Sequence, residues 1–84
     1  MSLHLVFTLA GLEHCQKRRH AGEPIVLLGD GVYGISEAID NCYTLQPDAQ
    51  TRGVTPSVQA PQFIDYETFV QLTIDYHPSV SWTD

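Results

Sequence analysis

Cys15 is the residue of this chain with the most chemistry open to it. It stands in the stretch LEHCQKRRH, residues 12–20, with Lys17, Arg18 and Arg19 just behind it. On a helix, positions three and four residues apart share a surface, so Arg18 or Arg19 neighbours the sulfur. A nearby cation lowers a thiol pKa and raises the fraction of thiolate, the nucleophilic form. Two facts pull the other way. Cys15 lies in the second half of its helix, where the dipole opposes a negative charge. Lys and Arg in a last turn are also what any helix C-terminus favours. The residues leave both readings open: a tuned, half-exposed thiol at the edge of an apolar stripe, or the ordinary end of a helix.

The remaining candidates are quieter. Cys42 opens a strand and reads as a small buried hydrophobe. His4, inside a strand, reads as a satisfied core or interface histidine. His14 and His20 read as solvated, and His77, before Pro78, as a helix-end residue. No Ser/His/Asp arrangement is readable, and the carboxylates are spread singly, so no acid–base pair stands out. Neither cysteine has a second Cys or His at ligand spacing, which argues against zinc. No cofactor or metal is expected. Gly29-Asp30-Gly31 lacks the glycine spacing and the lysine of a phosphate loop. Asp30 reads instead as a helix cap.

The elements that must position these residues alternate. Leu3 to Phe7 is a short apolar run rich in strand formers. Residues 9–20 form a helix with Leu9, Leu12 and Gln16 on one side; Gly22 can end it and Pro24 prevents its continuation. Ile25 to Leu28, four apolar residues in succession, suits a strand covered on both faces. The Gly-Asp-Gly turn leads to a helix with Val32, Ile35 and Ile39 as its apolar stripe. Cys42 to Leu45 is a third strand, Pro47 to Arg52 a helical turn or two, and Gly53 to Pro61 a surface loop. Gln62 to Ile64 is a fourth strand. Asp65 caps a last helix, Tyr66 to Tyr76, with Phe69, Val70, Leu72, Thr73 and Tyr76 as candidates for its inner side. A tail carries Trp82. Strand and helix alternate without a hairpin signal, so the strands are parallel, with right-handed helical crossovers. Functional groups of such a sheet collect beyond the carboxyl ends of its strands.

The whole chain sets outer bounds. Its 84 residues suit one small domain, marginal but able to fold alone. At 43 % apolar and 17 % charged it is globular in composition. Ten Asp/Glu against four Lys/Arg give a net charge of −6. That argues against direct nucleic-acid binding, which draws on clustered cations. No stretch approaches a membrane span, and no basic segment precedes an apolar run at the N-terminus. A cytoplasmic protein with reduced thiols is expected. The C-terminal aromatics Phe63, Tyr66, Phe69, Tyr76 and Trp82 exceed what so small a core needs, and aromatics are enriched at interfaces. Tyr76 and Trp82, with Tyr33 at the carboxyl edge of the sheet, are the interface candidates.

Four segments together resemble one family. LEHC (12–15), VLLGDGVY (26–33), YTLQPDAQTRG (43–53) and FIDYETFVQLTIDYHPSVSW (63–82) are similar to the DsrH/TusB family across nearly the whole chain. The resemblance implies a small three-layer, flavodoxin-like α/β domain of the DsrEFH type. Its mainly parallel sheet of about four strands would carry helices on both faces. It also implies a subunit of a sulfur-relay complex that passes persulfide sulfur between carrier proteins. The destination would be 2-thiouridine at the tRNA wobble position or cytoplasmic sulfur oxidation. The implied partners are DsrE/TusD-like and DsrF/TusC-like subunits and a DsrC/TusE-like acceptor. Cys15 matches a cysteine that follows Leu-Glu-Ser in DsrH-type members, which makes it the candidate persulfide carrier. The principal persulfide cysteine of the family belongs to the DsrE/TusD-type partner. The connection Thr8 to Gly11 is shorter than is usual in the family. The alternatives are a structural subunit with an inert Cys15 and a self-associating α/β module without sulfur transfer.

Overall fold

The computed structural model of the chain describes residues 1–36, 39–54 and 62–83. Five strands form one sheet: β1 (Leu3–Val6), β2 (Ile25–Leu27), β3 (Cys42–Leu45), β4 (Gln62–Ile64) and β5 (Ser79–Trp82). Their order is β4-β3-β2-β1-β5, and every neighbouring pair is parallel. The helices are α1 (Leu9–Arg18), a 3-10 helix (Gly29–Ser36), α2 (Gln46–Thr51) and α3 (Tyr66–Asp75). The expected α/β layering and parallel sheet are therefore present.

Two cores flank the sheet. On one face Val6, Ile25, Leu27 and Cys42 meet Leu12 and Cys15 of α1, Val32 of the 3-10 helix and Ala49 of α2. On the other, Leu3, Val26, Leu45 and Ile64 meet Phe69 and Leu72 of α3 and the following Tyr76. The helices α1, the 3-10 helix and α2, whose connections step one way along the sheet, lie on one face. The helix of the connection that steps back, α3, lies on the other, as one crossover hand requires. Ile25, Val26 and Leu27 are fully buried at the centre of the sheet. Each such side chain is worth ~1.5–3 kcal/mol relative to exposure, and this apolar run contributes to both cores.

Local signals set several boundaries. Thr8 caps α1, its Oγ1 accepting from the Gly11 N–H at 2.9 Å. Asp65 caps α3 as expected, accepting from the Thr68 N–H at 2.8 Å, and that backbone bond lowers its carboxyl pKa. Gly22 takes φ +84° in the turn before β2, as a residue without Cβ can. However, α1 has already ended at Arg18, whose successor Arg19 is extended.

Four expectations are corrected. The sheet has a fifth strand, because the tail Ser79–Trp82 pairs along the open edge of β1. The helix after β2 is a 3-10 helix that begins at Gly29. There Gly31 lies so close to β1 that a Cβ would run into the Val6 carbonyl. Asp30 sits inside this helix and caps nothing; its carboxylate accepts from Arg52 Nε at 3.0 Å. The Gly29 N–H is instead bound by Asp48 Oδ2 at 2.8 Å. Val70 points outward, 53 % exposed, and is no part of the core. Most of the expected loop, residues 55–61, lies outside the described residues.

Candidate functional site

α1 brings Cys15 inward. The buried residues of this helix are Gly11, Leu12 and Cys15, while Leu9 is 52 % exposed and Gln16 is exposed. The helix is thus turned away from the expected Leu9–Leu12–Gln16 stripe. Gly11 explains the turn: a Cβ there would collide with the backbone of Trp82 in β5, so only glycine lets the helix approach on this side. Cys15, expected at the margin and half-exposed, has no exposed surface.

Burial then decides its electrostatics. Desolvation pushes the Cys15 thiol up to about 11, against a smaller lowering by Arg19 and a further raising by Glu23. Cys42 opens β3 on the same side of the sheet, and burial pushes it up to about 12. Arg19 lowers Cys42 as well, and Cys15 raises it. Both are free cysteines. The cation that reaches the sulfurs is Arg19, whose side chain is almost wholly buried and whose guanidinium holds Asp40 Oδ1 at 2.9 Å. Lys17 and Arg18 are exposed, and Lys17 pairs with Glu13 at 3.4 Å. A shallow cavity of about 320 Å³ opens beside the Arg19–Asp40 pair, lined by Gln16, Arg19, Ala21, Ile39 and Asp40; neither sulfur lines it.

A second cluster lies on the same face of the sheet. His4 of β1 is buried and its two ring nitrogens are both engaged. Trp82 Nε1–H of β5 lies 3.0 Å from His4 Nδ1, and Glu23 Oε1 lies 2.9 Å from His4 Nε2. An indole N–H can only donate. Nδ1 is therefore an acceptor, and the proton of the neutral ring sits on Nε2, aimed at Glu23. Glu23 also accepts from the backbone N–H groups of Ser2 at 3.0 Å and His20 at 2.8 Å. These bonds, with that of His4 the largest influence, pull its carboxyl down to about 2. A carboxylate so held is an anchor, and it does not exchange protons near neutrality. The sequence reading of His4 as a satisfied core histidine agrees with this arrangement. Its partners were not legible, because Trp82 is 78 positions away.

The interface candidates separate. Tyr33 is 49 % exposed. Tyr76 is half-buried against the α3 side of the core, and Trp82 against the α1 side. The large apolar residues most exposed on a helix are Tyr66 and Ile74, at 56 % and 63 %, with Val70 between them. Their i, i+4, i+8 spacing was the available signal, running alongside the Phe69–Leu72–Tyr76 line. Among the described residues, no group of three His, Cys, Asp or Glu side chains could hold a metal ion, and no helix is long and apolar enough to cross a membrane.

Comparison with known proteins agrees with this architecture. Residues 6–79 match the family model described as DsrH like protein. The chain is 31 % identical to protein TusB of Pectobacterium atrosepticum, over 87 % of this chain and 88 % of the relative. It is 33 % identical to protein TusB of Pectobacterium parmentieri, over 73 % and 76 %. Among solved structures it is similar to protein Tm0979 from Thermotoga maritima. That match has a TM-score of 0.68 at 25 % identity and covers 89 % of this chain and 93 % of that one. With the family model spanning all but the two ends, and relatives above 30 % identity over most of their length, the chain belongs to the DsrH/TusB family.

Proposed function

We propose that this chain is a subunit of a cytoplasmic sulfur-relay assembly, and that it positions its partners there while Cys15 serves the core. The burial of the sulfur carries the second half of this reading. A carrier persulfide forms when a thiolate attacks the outer sulfur of an incoming donor persulfide and displaces the donor's thiolate, and Cys15 has neither exposed surface nor a thiol that ionises near neutrality. Family membership supports the first half. Chains of this type are similar to subunits of the DsrEFH and TusBCD complexes, which hand on sulfur as cysteine persulfide. The partners are then a DsrE/TusD-like chain that holds the persulfide cysteine, a DsrF/TusC-like chain, and a DsrC/TusE-like acceptor. Both curated relatives bear the name TusB, which favours tRNA 2-thiolation over sulfur oxidation.

The test is reconstitution with a Cys15→Ala chain, alanine avoiding a buried hydroxyl. Persulfide is loaded onto the assembled complex, delivery to the acceptor is followed, and added sulfur is located by mass spectrometry. Delivery at the wild-type rate with no added sulfur on wild-type Cys15 is expected. Loss of delivery from an intact complex overturns the positioning role. Cells lacking the chain are expected to lose 2-thiouridine from their tRNA; unchanged 2-thiouridine overturns that branch.

A further inference from the structure

The sheet face opposite α1 is thinly covered. Among the described residues, α3 is the helix that packs on it, and no residue of α3 is buried. Leu5, Phe7 and Tyr43 on the same side are only half-buried. The helix also turns a second apolar line outward, formed by Tyr66, Val70 and Ile74, each more than half exposed. Eight residues of helix rise make this a ridge ~12 Å long. An apolar ridge rimmed by polar side chains marks a protein contact. Anchors at i, i+4 and i+8 suit insertion into a groove.

The charges around the ridge choose its occupant. α3 and its cap carry Asp65, Glu67 and Asp75, all exposed, and no Lys or Arg. Lys17, Arg18 and Arg19 belong to α1 and its end, in the layer across the sheet, and Arg52 is engaged with Asp30. A second copy docked ridge to ridge would set carboxylates against carboxylates with no cation between them, an arrangement that suppresses association.

We propose that the α3 ridge is the docking surface for a different chain, a relay subunit that presents an apolar groove rimmed by Lys or Arg. This rests on the reading of the chain as a relay subunit and goes beyond it by assigning the surface and the chemistry of the partner.

The experiment titrates purified DsrE/TusD-like and DsrF/TusC-like chains from the same cell against this protein. The ligands are the wild type, the double variants Val70→Glu/Ile74→Glu and Glu67→Lys/Asp75→Lys, and Lys17→Glu on the opposite layer. All five positions are exposed, and denaturant unfolding confirms that each variant folds. Val70→Glu/Ile74→Glu weakens binding to one of the chains by roughly tenfold or more. Glu67→Lys/Asp75→Lys weakens it and flattens its salt dependence, while Lys17→Glu binds as the wild type does. Wild-type affinity in both α3 variants overturns the assignment of the surface and leaves the subunit reading standing. A wild type that binds neither chain overturns both. Self-association abolished by Val70→Glu/Ile74→Glu overturns the choice of a different chain as occupant.

Discussion

Trp82 donates from its indole Nε1 to His4 Nδ1 at 3.0 Å, joining the last strand of the sheet to the first. The bond does more than fasten an edge. It makes Nδ1 an acceptor, so the imidazole points its N–H at Glu23 and ties the α1–β2 connection to the same point. Three parts of the chain distant in sequence thus share one polar junction beside the core.

Trp82→Phe keeps most of the apolar contact with the α1-side core and removes the donor. Loss of the hydrogen bond and the unpaired Nδ1 that remains are expected to destabilise the fold by about 1–2 kcal/mol. Urea midpoints at neutral pH measure it, and an unchanged midpoint would show that the bond is idle.

Glu23 makes stability fall in acid. Its carboxyl ordinarily titrates at 4.5 and is held at about 2 in the fold. The native state therefore favours the ionised form. The stability it contributes is complete above pH 4.5 and is lost as pH falls toward 2. Glu23→Gln is expected to flatten the loss of stability over that window. Asp65, also lowered by its capping bond, supplies part of the slope that remains. Unfolding curves at several pH values, for both proteins, compare the slopes.

The two thiols are expected to resist alkylation in the folded protein. With Cys15 at about 11, the thiolate at pH 7 is roughly one part in ten thousand. Access is denied as well, since the sulfur has no exposed surface. Iodoacetamide labelling followed by mass spectrometry should modify both cysteines rapidly in urea and slowly without it. Fast native labelling of Cys15 would show an opening of α1 that exposes the sulfur.

Thr44 carries a buried hydroxyl with no hydrogen-bond partner among the described residues. Thr44→Val matches its shape without the polar atom and suits a central strand. The substitution is expected to be neutral or stabilising by up to ~1 kcal/mol, read from the thermal midpoint. A clear loss of stability would indicate a partner for the hydroxyl in solution.

Much of the fold was legible because its signals are local. The apolar run Ile25–Leu28 suits a strand covered on both faces, of which Ile25–Leu27 forms the strand, and Asp65 sits where an orphan N–H needs an acceptor. The tail was harder to read. Ser79–Trp82 is four residues long and half polar, and it becomes a strand only because β1 leaves an unpaired edge beside it. The 3-10 helix was likewise hidden, since its close approach to Val6 is a tertiary contact.

Composition and pattern by themselves determined the acidic surface, the alternation of strands and helices, and the presence of a cysteine beside a basic run. Tertiary structure alone decided where that cysteine sits, which is inside the core. A helix of ten residues can bury either of two adjacent stripes. The contact of Gly11 with the Trp82 backbone chose the stripe containing Cys15. Desolvation of the buried sulfur then outweighs the lowering by Arg19.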